Sequence, residues 1–192
     1  MNILIDTLPE TIDVCGQKCA IHTDFRTWIR FTLLIFGNSS LVQKSLDIIK
    51  LVFIDFPPNF IEALKAVMKF YNPKHSENSA KGSGKQEKMY DFDYDAEAIY
   101  AAFMQQYNIN LKEVQMHWYE FKALLDNLTE ETRFIKTVSY RAVDLSEIKS
   151  DEMRKFYAHM KSACALPDER PAEQKDADFS RAFCNAFMRK QR

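Results

Sequence analysis

The stretch "YDFDYDAEAIYAAF", residues 90–103, sets three aspartates at alternate positions directly ahead of an alanine-rich apolar run. Asp91, Asp93 and Asp95 resemble the opening of a calcium loop, and the choice between loop and helix here decides how the second half of the chain folds. A calcium loop needs glycine at its sixth place for a sharp turn and glutamate at its twelfth as a bidentate ligand. Counted from Asp91, those places hold Ala96 and Ala102. The aspartates therefore read as the entrance to a helix, where carboxylates cap free N–H groups and sit well against the helix dipole.

Downstream of this entrance the apolar period stays helical. Ile99, Phe103 and Tyr107 recur every four residues, and Asn108, which tolerates positive φ, is placed to stop the helix. Asn110 and Glu113 stand in capping-box positions for "LKEVQMHWYEFKALLDNL", whose stripe is Val114, Trp118, Phe121, Leu125 and Leu128. Thr129 is placed to cap a helix through Phe134, Ile135 and Val138, and Ser150 one through Phe156 and Met160. After "LPDERP", the segment "AEQKDADFSRAFCNAFMRKQR" repeats Phe179, Phe183 and Phe187 at four-residue spacing.

Upstream, residues 72–89 have no apolar period, and their Pro, Gly, Ser, Lys and Glu content is that of a flexible linker. Three helices precede it. "TDFRTWIRFTLLIFG" carries Phe25, Trp28, Ile29 and Leu33; "SSLVQKSLDIIKLVFIDFPP" runs to its prolines; "NFIEALKAVMKFY" has Asn59 and Glu62 as a capping box. At the start, "TIDVCGQKCAIH" forms a hairpin around Gly16-Gln17 in a type II′ turn. That turn pairs Val14 with Cys19 and Ile12 with Ile21, all four on one apolar face. The expected fold is mainly α, a multi-helix bundle with a small N-terminal β-hairpin. Its expected organisation is hairpin plus three helices over 1–71, linker over 72–89, a helical section over 90–165, and an amphipathic end over 166–192.

Composition narrows the function. The chain has 192 residues, 46% of them hydrophobic, which suffices for a core without disulfides. A net charge of −1 gives no global reason to expect nucleic acid or an anionic membrane as partner. The start of the chain lacks signal-peptide character and no apolar run reaches membrane-spanning length, so a soluble protein of a reducing cytoplasm is expected.

Motifs for chemistry fail when checked by position. "GSGK", residues 82–85, lacks the earlier glycine of a phosphate loop and has Gln86 where Ser or Thr belongs. Cys15, Cys19 and His22 lack a second ligand pair, and the hairpin places the two cysteines on opposite faces. His22, His75, His117 and His159 are scattered, with His117 at the edge of a core stripe. No catalytic residue, metal ligand or cofactor is expected. The Phe179, Phe183 and Phe187 stripe has two readings, packing back on the bundle or contacting another chain by helix-in-groove docking. It supplies the candidate partner-binding residues.

Several stretches together resemble the bacteriophage gene product fifteen family of siphophage tail modules. They are "TDFRTWIRF" (23–31), "YDFDYDAEAIYAAFMQQYNINL" (90–111), "HWYEFKALLDNL" (117–128), "YRAVDLSEIKSDEMRKFYAHMK" (140–161) and "LPDER" (166–170). The resemblance implies a non-enzymatic tail assembly chaperone, made in the host cytoplasm and absent from the mature virion. Its implied partners are the tape-measure protein and the major tail protein, with self-association as a further contact. The competing implication is a structural tail or connector component that stays in the virion.

Overall fold

The computed structural model describes residues 2–36, 41–72 and 89–167. Within them the fold is mainly α, with seven helices and one two-stranded antiparallel hairpin. Residues 37–40, between the first two expected helices, and nearly all of the expected linker lie outside the described residues.

The hairpin consists of β1 (Thr11–Val14) and β2 (Gln17–Ala20). Its register pairs Ile12 with Cys19 and Val14 with Gln17, so the turn is Cys15-Gly16 rather than Gly16-Gln17. Both turn residues have positive φ, 55° and 83°, the requirement of a type I′ turn, whose twist matches that of the strands. Asp13 Oδ1 accepts from the Gly16 N–H at 3.0 Å and steadies this choice. The expected pairing is displaced by two residues, which leaves every side chain on its expected face. Ile12, Val14, Cys19 and Ile21 are all buried.

Helix α1 (Phe25–Phe36) buries Phe25, Trp28, Phe31 and Thr32, with Ile29 and Leu33 at the margin. Helix α2 (Leu41–Val52) ends before the prolines that were expected to stop it. The backbone at its end is used elsewhere: Val52 O accepts from His22 N, and Ile54 N donates to Ala20 O. These bonds lay residues 52–54 along the outer edge of β2, which would otherwise present unpaired groups. Helix α3 (Phe60–Tyr71) begins at Asn59, whose side chain accepts from Glu62 N at 3.1 Å. The reciprocal half of that capping box is absent, because Glu62 pairs with Lys65.

Helix α4 (Ala96–Tyr107) buries Ile99 and Phe103, and Asn108 closes it in the left-handed region, as its position predicts. The next helix starts later than expected. Asn110 caps only a single turn, accepting from Lys112 N, and α5 (Trp118–Asp126) starts with His117 as its cap. Residues 111–116 instead run alongside residues 23–26, with Phe25 N donating to Met116 O and Trp118 N to Thr23 O. Helix α6 (Arg133–Ala142) is capped by Thr132 rather than Thr129. Helix α7 (Asp151–Ala163) is capped by Ser150, as expected.

One apolar core takes side chains from both sides of the 72–89 stretch. Trp28 stacks on Phe70 at 4.6 Å and on Trp118 at 6.4 Å, while Phe121 stacks between Phe25 (4.6 Å) and Phe103 (5.2 Å). Aromatic pairs in offset or edge geometry add to area burial. The last turn of α3 leaves carbonyls without helical partners, and α5 satisfies two of them. Tyr119 Oη donates to Phe70 O at 2.9 Å, and Trp118 Nε1 to Tyr71 O at 3.5 Å.

A β-carbon is disfavoured in the left-handed region that Cys15 occupies, whereas asparagine is well suited to it. Cys15→Asn should raise unfolding stability by about 1 kcal/mol in urea titrations. A loss of stability instead would contradict the type I′ assignment.

Candidate functional site

The three aspartates do open a helix, but they divide the work. Asp91 Oδ1 accepts from Asp93 N at 2.7 Å and Tyr94 N at 3.0 Å, so the cap lies one turn ahead of α4. Asp93 is exposed. Asp95 is only 5% exposed and makes no capping bond to the α4 backbone. Its carboxylate instead meets the Arg141 guanidinium in a two-pronged pair, Oδ2 with Nη1 at 2.7 Å and Oδ1 with Nη2 at 2.9 Å.

Arg141, 6% exposed, was not singled out by sequence. Its position carried a signal nonetheless, because Phe134, Val138 and Arg141 fall at helical spacing and put a cation on an apolar stripe. The remaining guanidinium capacity is also used. Nη1 donates to Met89 O at 3.1 Å and Nε to Cys164 O at 2.5 Å. One side chain thus ties Met89, the start of α4, the end of α6 and the end of α7. A buried ion pair costs desolvation and holds only when its hydrogen bonds are met. Here they are.

A second polar tie joins the two sections. Arg26 is held by Asp24 at 2.9 Å and donates through Nη2 to Leu111 O and Val114 O, at 2.6 and 2.9 Å. Nearby, His117 Nδ1 accepts from Tyr119 N at 3.1 Å, while Glu120 Oε2 accepts from His117 N at 3.0 Å. The acceptor role of Nδ1 puts the ring hydrogen on Nε2, which donates to Pro9 O at 3.1 Å. His117 is therefore a structural residue at the core edge.

The other sequence candidates do not converge. Cys15 is exposed at the turn and Cys19 is buried in the hairpin face, where burial raises its thiol pKa, with Asp13 and Cys15 adding to the effect. His22 and His159 are exposed. Among the described residues, no group of three or more His, Cys, Asp or Glu side chains could hold a metal ion. His75, the "GSGK" stretch, and Phe179, Phe183 and Phe187 lie outside the described residues.

The surface feature best suited to binding is α7. Met153, Phe156, Tyr157 and Met160 fall in the i, i+3, i+4, i+7 pattern of an apolar stripe, yet no residue of α7 is buried. Tyr140 of α6 covers one flank, with ring centroids 6.5 Å from Phe156 and 6.2 Å from Tyr157. Phe156 remains 50% exposed and Met153 48%. Polar ties place the helix: Arg141 on Cys164 O, and Lys161 Nζ on Val143 O at 2.9 Å. Covering the open halves of Phe156 and Met153 would add about 2 kcal/mol. Among the described residues, no helix is long and apolar enough to cross a membrane.

Residues 4–166, well over half of the chain, match the family described as Bacteriophage Gp15 protein, and the chain belongs to that family. Membership gives it a phage structural or assembly role. No curated protein and no solved structure matches it.

Removing one partner of the buried pair leaves the other charge uncompensated. Arg141→Met should cost about 3–5 kcal/mol in urea unfolding, and combining it with Asp95→Leu should recover part of that loss. Additive single losses in the double-mutant cycle would contradict the pairing.

The pH dependence of α5 derives from His117. Burial lowers its pKa below the ordinary 6.5, outweighing the raising influence of Pro9 O, Glu120 and Glu10. The folded protein thus binds this proton less well than the unfolded chain does. The cap's contribution is full above the unfolded value of 6.5 and is lost as the pH falls toward the lower folded one. His117→Asn, which keeps an acceptor at the cap, should flatten this part of the stability profile as the pH falls below the ordinary histidine value of 6.5. An unchanged slope would assign the acid sensitivity to other groups.

Proposed function

We propose that this member of the Bacteriophage Gp15 family is a non-enzymatic tail assembly chaperone that binds the tape-measure protein during tail morphogenesis. Family membership supports a role in phage assembly, and the observation that carries the binding mode is the half-covered stripe of α7. A long tape-measure helix presents apolar stripes that must be kept from aggregating until tube subunits surround it. An amphipathic helix with an open apolar face can cover such a stripe by helix–helix packing. Many weak contacts along one partner hold it firmly, yet each can be displaced singly by an incoming tube subunit. The chaperone acts in the host cytoplasm and leaves before the virion is complete.

Co-expression with the tape-measure protein should give a complex on co-purification, and Phe156→Asp with Met153→Asp should weaken it about tenfold or more. Purified virions should lack the protein. Stoichiometric recovery from finished particles would favour the structural tail or connector reading, and undiminished binding by the double variant would move the contact off α7.

A further inference from the structure

We propose that the apolar turn at residues 3–5 of one copy docks in the groove between α1 and α2 of the next, so that copies of this chain associate head to tail. Ile3, Leu4 and Ile5 are consecutive large apolar residues, 41%, 89% and 80% exposed, and a run of that kind on a surface marks a contact. It is not loose chain. Asn2 O accepts from Ile5 N at 3.1 Å and from Asp6 N at 2.8 Å. Asn2 Oδ1 accepts from Leu4 N at 3.0 Å, and Asp6 Oδ2 from Asn2 N at 2.6 Å. These bonds close the turn into a knob with its apolar side chains in solvent. Its base is anchored, since Pro9 O accepts from His117 and Glu10 O from Ile21 N.

The groove between α1 and α2 encloses about 570 Å³ and takes Leu33, Leu34 and Leu51 as its apolar lining. That is the size of a small-ligand pocket, with room for more than one aliphatic side chain. Arg30 and Lys50 also line it and are exposed. Among the described residues, neither side chain has an ion pair or hydrogen bond. The third charge of the lining, Asp47, is engaged by Gln43 Nε2 at 3.0 and 3.2 Å. The groove is thus apolar inside, net positive, and supplied with two unspent cations.

Charge selects the occupant. Residues 2–14 carry Asp6, Glu10 and Asp13 and no Lys or Arg, so an acidic knob meets a basic groove. The knob does not fill the groove of its own chain, because Leu4 and Ile5 stand in solvent. A second copy supplies it. Knob and groove are different patches, so each docking leaves one of each free, and association continues to a ring or filament. A contact of so few side chains is weak singly. A string of copies would set successive α7 stripes along one tape-measure chain, a consequence that rests on the proposed function, whereas the contact itself does not.

Sedimentation velocity of the full chain tests the contact. The wild type should pass from monomer to species larger than a dimer as its concentration rises from micromolar to millimolar. Leu4→Asp with Ile5→Asp should weaken association about tenfold, and so should Arg30→Glu with Lys50→Glu. All four positions are exposed, so both variants should keep the wild-type urea midpoint, which separates lost association from lost fold. The first variant retains a groove and the second a knob, so their equimolar mixture should form a dimer and stop there. A wild type that stays monomeric or stops at a dimer would overturn the proposal, as would variants that associate like the wild type or a mixture that stays monomeric. If the string forms but the tape-measure protein binds the knob variant as tightly as the wild type, the array's part in function is overturned and the contact between copies stands.

Discussion

The guanidinium of Arg141 lies against the Asp95 carboxylate in the interior, and the second section of the fold is arranged around that pair. Two charges removed from water are tolerated only with close geometry and satisfied hydrogen bonds. Both conditions are met by three partners outside the helix that carries Arg141: Asp95, Met89 and Cys164. Any rearrangement of α4, α6 or the end of α7 would leave a buried charge or carbonyl without its partner. The pair therefore supplies position more than net stability. It determines where α7 ends, and so where its apolar stripe faces.

The first and second sections are joined by similar means. The segment from Leu111 to Trp118 runs beside residues 23–26, with Arg26 bonded to two carbonyls across the seam and His117 reaching back to Pro9. Aromatic stacking of Trp28, Trp118 and Phe121 fills the space behind these bonds. A polar stretch of some length can separate two sections that share a core, because loop-closure entropy rises only slowly with length.

Helix α7 differs in kind from the rest. It is placed by hydrogen bonds near its C-terminal end, and its apolar stripe is only half covered, so its hydrophobic contribution is incomplete. Elements with few buried contacts open most readily. A surface that completes itself only by covering Phe156 and Met153 offers modest affinity per site, a property in keeping with the chaperone role proposed above.

Sequence alone determined the mainly α class, the N-terminal hairpin, the stop at Asn108 and the cap at Ser150, because each depends on residues within a few positions of one another. It also determined which hairpin residues face inward, since alternation survives a register shift of two. The type I′ turn at Cys15-Gly16 was missed because the Asp13 carboxylate, not glycine alone, steadies it. Tertiary structure decided what depends on distant backbone. The end of α2 and the late start of α5 were set by hydrogen bonds that residues 52–54 and 111–118 make to other segments. So it was with the opening aspartates. Local pattern made them a helix entrance, but only the fold brought Arg141, 46 residues away, to Asp95. A charge cannot be read as buried until its partner is in place.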